Sequence, residues 1–369
     1  MKTRLSMCIS RFLLVLSVAL LPAVARADQS QFVNAKLEAR AASTDLQKTV
    51  DQIAGDSPQP AWIAYDVPSS SSKDQTCCNY GEHNGSNICG TCFLEEQRGH
   101  TYVHSDAQQN KTVELEGLAK VTILLRVDHG RVVRIRIASA NCTLDAGGLR
   151  VVWMTGVKPE ESVAELSRFV DTKSSHGDDE NDLINQAVMA IAQHADPSAD
   201  RALASFVAPD QPARLREKAA FWLGASRGKS GVQILEKMAK SDADPDIRAK
   251  VAFALFVSHE PEATDDIIHM AKDDSSAHVR EQALFWLAQK AGKKASATIT
   301  GAIDNDPDTE VKKKAVFALS QLPKDEGVPK LIEVAQNNKN PEVRKQAMFW
   351  LGQSNDPRAL AFFEKILSQ

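Results

Sequence analysis

The sequence predicts an α+β multidomain protein, a small β-rich N-terminal domain followed by an all-α solenoid of about six 32-residue helical hairpins. Three observations predict it. A Phe-Trp-Leu or Phe-Ala-Leu triplet recurs at 221–223, 253–255, 285–287, 317–319 and 349–351, always 32 residues apart. Upstream, two apolar runs flank Asp128-His129-Gly130, a hairpin signature. Between these regions, residues 171–182 are polar and acidic and read as a flexible insertion.

The chain begins with a leader. Lys2, Arg4 and Arg11 make a positive start, residues 12–24 are apolar, and Ala25-Arg26-Ala27 is a small-x-small cleavage site. The apolar stretch is shorter than the roughly 20 residues a membrane anchor needs. The expected mature protein starts near Asp28 and is periplasmic or secreted, with no span after cleavage. The net charge of -4 argues against a general nucleic-acid binder.

Residues 28–158 form the expected β-rich domain. Residues 31–54 read as an amphipathic helix, 62–67 as a strand, 121–137 as the hairpin and 149–154 as a further strand. Five cysteines follow the leader: Cys77, Cys78, Cys89, Cys92 and Cys142. In an exported chain disulfides are the first account of them, with connectivity open. Zinc held by Cys77, Cys78, Cys89 and Cys92 is a second, and a redox pair at Cys89-Gly-Thr-Cys92 a third.

Residues 159–182 are expected to hold a capping helix, with Leu166, Phe169 and Val170 at helical offsets, and then the acidic linker. From 183 to 369 the 32-residue register holds in every column. Leu183, Leu215, Ile247, Val279, Val311 and Val343 form one. Ala187, Ala219, Val251, Ala283, Ala315 and Ala347 form a second, and Ile191, Leu223, Leu255, Leu287, Leu319 and Leu351 a third. Their offsets of i, i+4 and i+8 make one stripe of a helix, here termed helix B. Leu203, Leu235, Ile267, Ile299, Leu331 and Phe363 begin a similar stripe on helix A. Asp244-Pro245, Asp306-Pro307 and Asn340-Pro341 mark the turns from A to B. One such pair cannot bury its stripe alone, so neighbours must stack.

The segments from Asn340 to Gly352 and from Asp244 to Leu255 resemble HEAT repeats, in particular the short type also found in phycobilin lyases. The resemblance covers residues 183–369. It implies that helix B lines a concave face, and that an Arg early in helix B forms a ladder with Asp or Asn in the turns. Arg216, Arg248, Arg280 and Arg344 match that pattern, and Lys312 departs from it. Deoxyhypusine hydroxylase, a repeat protein of similar type, implies instead a di-iron site built from several His-Glu pairs. Only His259-Glu260 matches in the solenoid, and His269 and His278 have no repeated counterparts. No phosphate loop, nucleophile elbow or His-Glu-x-x-His is present.

On a helical wheel Phe221, Phe253, Phe285, Phe317 and Phe349 point roughly 140° from the apolar arc. Lys218, Lys250, Gln282, Lys314 and Gln346 form the neighbouring column. Two accounts of the Phe column stand: a ladder that grips an extended peptide or loop, or lateral packing that seals the stack. Trp222, Trp286 and Trp350, spaced 64 apart, are expected in the core. Phe362 marks either a self-association surface on the C-terminal helix or a buried turn-back.

The expected function is a non-enzymatic scaffold or adaptor that binds a protein or peptide partner and needs no cofactor. The alternatives are a lyase-type repeat enzyme, a redox or metal protein using the cysteine cluster, and a purely structural envelope component.

Overall fold

The computed structural model describes residues 31–70, 80–83, 86–89, 92–95, 120–140, 142–170, 178–290 and 293–368. In chain order the first part comprises β1 (Gln31–Val33), β2 (Lys36–Ala41), α1 (Leu46–Gly55) and β3 (Ala61–Pro68), then β4 (Tyr80–His83), β5 (Ser86–Cys89) and β6 (Cys92–Phe93). It continues with β7 (Lys120–Asp128), β8 (Arg131–Ser139), β9 (Thr143–Asp145), β10 (Arg150–Thr155) and α2 (Pro159–Arg168).

The main sheet has the order β2-β10-β3-β7-β8. β10 runs parallel to β2 and β3, while β3, β7 and β8 are antiparallel. The β7–β8 hairpin turns at His129 (φ 49°) and Gly130 (φ 75°), the left-handed pair a tight two-residue turn requires. Alternation along the strands feeds both faces. Ile63, Tyr65, Ile123, Leu125, Val152 and Met154 meet Leu46, Val50 and Ile53 of α1 on one side. Trp62, Ala64, Leu124, Val151 and Trp153 lie on the other, against Leu94 and Leu144 beside the small β1-β9-β6 sheet.

Residues 31–54 are thus two strands and a helix, not one helix. Lys36–Ala41 hydrogen-bonds along β10, and sheet pairing there overrides the helical spacing of the sequence. Asp45 ends the extended run and accepts from the Lys48 N–H as the α1 N-cap. Cys92 and Cys142 are buried and each is disulfide-bonded. Cys77 and Cys78 lie outside the described residues, and Cys89 is described in its backbone alone.

The second part is six helical hairpins. They are α3 (Asp178–Ala192) with α4 (Pro197–Phe206), α5 (Ala213–Ser226) with α6 (Gly228–Ser241), and α7 (Pro245–Val257) with α8 (Glu262–Asp273). Then come α9 (Ala277–Lys290) with α10 (Lys293–Asn305), α11 (Thr309–Ser320) with α12 (Lys324–Asn337), and α13 (Pro341–Gln353) with α14 (Pro357–Leu367). The odd-numbered members are helix B and the even-numbered helix A. α3 begins at Asp178, inside the segment read as a linker. The three predicted helix B columns are buried from Leu215 to Leu351. In α14 the pattern shifts: Ala359 and Phe362 are buried, while Ile366 and Leu367 are exposed. Phe362 is therefore the turn-back, packed on Phe363 at 5.7 Å, and the exposed large apolar residues of this helix are Leu360, Ile366 and Leu367. No helix among the described residues is long and apolar enough to cross a membrane.

Small residues set the spacing between helices B. A Cβ at Gly224 of α5 would run into the Ala254 carbonyl of α7. At Gly352 of α13 a Cβ would meet nothing within 4 Å. Gly224→Ala is expected to destabilise by about 1–3 kcal/mol, since the helices must part. Gly352→Ala is expected to stabilise by up to about 1 kcal/mol through helix propensity. Urea unfolding of both variants checks the pair; equal shifts in the same direction would contradict it.

The two parts share one core. A single apolar cluster runs from Leu46 of α1 through the sheet to Phe362 of α14. The Gln186 side chain of α3 accepts from the Ile135 N–H of edge strand β8 at 2.7 Å, and Ser69 pairs with His194 beyond the end of α3. The edge of the sheet is thus occupied by the first helix B.

Candidate functional site

The helix B rows build a groove of about 890 Å³ across α3, α5, α7 and α9. Its lining includes Asn185, Met189, Lys218, Phe221, Trp222, Lys250, Phe253, His278, Gln282 and Trp286. That volume lies within the range of ordinary ligand clefts. Phe221 and Phe253 of the predicted column line it, while Phe285, Phe317 and Phe349 continue the row onto α11 and α13.

The five Phe rings are not separate rungs. Phe221 stacks on Phe253 with centroids 5.9 Å apart, and Phe285 on Phe317 at 6.2 Å. Phe253 packs on Trp286 at 4.6 Å and Phe317 on Trp350 at 4.9 Å. Within a helix, Phe221 meets Trp222 edge-on at 5.1 Å, Phe285 meets Trp286 at 4.8 Å and Phe349 meets Trp350 at 5.0 Å. One continuous row results: Trp222, Phe221, Phe253, Trp286, Phe285, Phe317, Trp350, Phe349. The 64-residue period now has a cause. Where the next helix carries Trp, the preceding Phe packs on it; where it carries Ala254 or Ala318, the Phe stacks on the next Phe instead. Each contact contributes about 0.5–1.5 kcal/mol beyond area burial.

The Trp residues were expected in the core, and they do pack against it, but only in part. Trp222, Trp286 and Trp350 are half-buried, and the first two line the groove. An indole is larger than the Ala it alternates with, so it reaches past the stripe into the groove. The Phe rings are half-buried and Phe349 is 54% exposed. They seal the stack on one side and present a surface on the other.

Charge decorates the row unevenly. Lys250 pairs with Glu217 at 3.3 Å, both about half exposed, a contact of little energetic weight. Lys218 and Lys314 make no ion pair, and Gln282 and Gln346 no hydrogen bond, among the described residues. Lys314 is exposed on α11, outside the groove lining.

A family profile for HEAT repeats matches residues 201–288, 264–347 and 296–369. Residues 201–369 are HEAT repeats. A comparison with curated proteins finds no match. Among solved structures, the chain is similar to human deoxyhypusine hydroxylase in complex with glycerol, at 17% identity over 56% of this chain and 90% of that one, TM-score 0.27. It is similar to the complex of CpcE and CpcF of phycocyanin lyase from Nostoc sp. PCC7120, at 23% identity over 42% of this chain and 99% of that one, TM-score 0.33. It is also similar to a designed armadillo repeat protein, at 16% identity over 52% of this chain and 100% of that one, TM-score 0.26.

The Arg ladder of the HEAT repeats is buried. Arg248 bridges two turns: it donates to the Asp242 carbonyl at 2.8 Å and to both oxygens of Asp274 at 2.8 Å. Arg280 repeats this with the Asp274 carbonyl and Asp306, at 2.7 and 3.0 Å to the carboxylate. Arg216 pairs with Asp242. At the fourth rung Lys312 replaces Arg, and the acceptor one turn on is Asn338 instead of Asp. Both partners thus change together: Asn338 removes the carboxylate, while Lys312 keeps its charge and donates to the Asp304 carbonyl at 2.9 Å. The ladder is sequestered between turns and belongs to the scaffold.

A second polar cluster joins the sheet to the solenoid. Tyr65 of β3 and Ser162 of α2 lie 2.9 Å apart, and His194 Nε2 is 2.8 Å from Ser162. His194 Nδ1 is 2.8 Å from the Ala190 carbonyl. A carbonyl only accepts, so Nδ1 carries the proton and Nε2 accepts from Ser162, which accepts from the Tyr65 hydroxyl. Arg227 donates to the carbonyls of Ala192 and His194 and, at 2.6 Å, to Asp200. All three members of the relay are fully buried. Burial holds the His194 imidazole down to about 4 and pushes the Tyr65 phenol above its ordinary value. Its members come from β3, α2 and the end of α3, so the relay ties the sheet to the solenoid at this junction.

Nothing in the sequence pointed to that relay, because its members come from three elements without a shared motif. Met189 is legible in the sequence: with Ala190 and Ile191 it is a fainter copy of the recurring triplet. It stands 32 residues before Phe221 and is the first position of the aromatic column. Among the described residues no group of three or more His, Cys, Asp or Glu could hold a metal ion. Cys92, held in a disulfide, offers no thiolate to a zinc site.

Proposed function

We propose that the protein is an exported, non-catalytic scaffold that holds a segment of a partner protein along the groove of its HEAT repeats. The observation that carries this is the aromatic row. A packing seam needs its rings covered, whereas these rings are half-exposed along an open groove and flanked by Lys218 and Gln282, which have no partner among the described residues. Aromatic surfaces with adaptable polar neighbours are the usual anchors of protein interfaces. Export rests on the leader at residues 1–27, and the disulfide-bonded Cys92 and Cys142 are compatible with an oxidising compartment.

A photo-activated cross-linker tests it. Placed at Lys250 beside the row, it is expected to capture one partner from envelope extract, with yield about tenfold above a probe at the exposed Lys237 of α6. Phe285→Ser combined with Phe317→Ser should abolish the capture. Equal yields from both positions, or capture that survives the double change while stability falls, would leave the row as packing alone.

A further inference from the structure

We propose that two copies of this chain pair through β2, antiparallel about Ala39, so that their main sheets join edge to edge. This stands on the sheet and is independent of the groove. The two edges of that sheet are treated differently. β8 is covered by α3, and the Ile135 N–H is satisfied by Gln186. β2 has β10 on one side and, among the described residues, no strand on the other. Lys36–Ala41 is exposed along its length except at half-buried Arg40, and Leu37 is 54% exposed. Backbone parity fixes which groups point outward. The Lys36 N–H donates to the Leu149 carbonyl, and the Ala42 N–H to the Thr155 carbonyl. In the parallel ladder with β10, the even-numbered residues therefore turn their N–H and C=O inward. Leu37, Ala39 and Ala41 turn theirs outward, a template for one more strand.

The side chains select the strand. A strand that meets β2 antiparallel bonds to it at the odd-numbered residues. With a two-fold axis at Ala39, the two Ala39 residues exchange both their bonds, and Leu37 does the same with Ala41 of the second copy. Glu38 of each copy then stands opposite Arg40 of the other, in the non-hydrogen-bonded pairs whose side chains approach closest. Glu38 accepts from Arg150 at 2.9 Å, both at the surface. Arg40 donates at 3.2 Å to the uncharged Gln52 Oε1 and makes no ion pair among the described residues. An axis at Glu38 would oppose Glu38 to itself and Lys36 to Arg40, like charges throughout. An axis at Leu37 would oppose Lys36 to Glu38, but the chain turns at Asn34 (φ 48°), which confines the overlap to Lys36, Leu37 and Glu38. On the opposite face Leu37 and Ala39 stand beside Val151 and Trp153 of β10, so the pairing extends that apolar layer. The order Lys-x-Glu-x-Arg is thus complementary to itself about Ala39, which makes the occupant a second copy.

Sedimentation velocity of the full chain over a concentration series tests it. The expected result is a monomer–dimer equilibrium that dissociates on dilution, because one strand pair is a small interface. Ala39→Pro removes an outward N–H and none that β10 uses, the one orientation in which an edge strand tolerates proline. It is expected to abolish the dimer and leave the circular dichroism of the chain unchanged. Charge supplies a second arm that spares the backbone. Arg40→Glu alone and Glu38→Lys alone each place like charges opposite one another, and each should weaken the dimer about three- to tenfold. Mixing the two variants sets Glu38 against Arg40 and the new glutamate against the new lysine, and should restore the affinity as a heterodimer. Monomer at every concentration leaves this edge to another protein's strand and overturns the proposal. So does a dimer that survives Ala39→Pro, since it is held by another face. A mixture no tighter than either variant alone overturns the axis at Ala39.

Discussion

Replacing Asp274 with alanine is expected to lower the unfolding free energy by about 3–5 kcal/mol. Asp274 sits between two repeats. It takes two hydrogen bonds from Arg248, and its Oδ1 accepts from the Ser276 N–H at 2.8 Å. Its side chain is 6% exposed and that of Arg248 11%. Burial pushes the carboxyl up, but the bonds from Arg248 and Ser276 outweigh it and leave the group below its usual range. Truncation removes the turn cap and leaves the Arg248 guanidinium buried without its counter-charge, the costly half of the asymmetry. The protein itself carries a gentler solution at Lys312 and Asn338. Arg248→Lys combined with Asp274→Asn is therefore expected to cost less than Asp274→Ala alone. Urea unfolding of the three proteins decides it; if the double variant is the least stable, the pairing of changes at 312 and 338 has no energetic meaning.

The repeated part of the chain is the most legible from its residues alone. Six copies of one hairpin average out local ambiguity, so the buried columns from Leu215 to Leu351 can be read residue by residue. The aromatic row is legible only by halves. A helical wheel places Phe221 and Trp222 at different angles, which separates them into ladder and core. Their union depends on ring size and on the distance between helices, and neither is a property of one helix. Phe362 shows the same limit. The columns assign burial to Phe363, Ile366 and Leu367, but in α14 the buried pair is Ala359 and Phe362.

The N-terminal part is less legible because its pairing is long-range. Lys36–Ala41 becomes a strand only through β10, more than a hundred residues later. A helical spacing of apolar residues at 31–54 could not reveal that partner. The junction is hidden for a related reason. Gln186, which satisfies β8, and His194, which closes the relay with Ser162 and Tyr65, gain their roles only when sheet and solenoid meet.

That relay carries the second large effect. Acidification from pH 6.5 to about 4 is expected to remove about 3 kcal/mol of stability through His194. Burial is the leading cause, and the positive charge of Arg227 adds to it, against the Ala190 hydrogen bond, which favours the charged form. The sign follows from where each state binds the proton. Below its ordinary value the imidazole of the unfolded chain is protonated, while the folded one stays neutral until about pH 4. Stability is therefore complete above pH 6.5, falls as pH falls, and stops falling on this account below about 4. Glu165 acts the other way. Burial raises its carboxyl despite the 2.7 Å contact with Arg168, so the folded chain keeps that proton longer as pH rises, and the low-pH end of the decline is softened. Protonation also breaks the relay's direction. A donor at Nε2 turns Ser162 into an acceptor, Ser162 then donates to Tyr65, and the Tyr65 hydroxyl proton is left without a place in a dry junction. His194→Gln, which cannot take a proton, is expected to start less stable yet show a flatter slope between pH 6.5 and 4. Parallel curves for the two proteins would assign the acid sensitivity to other groups.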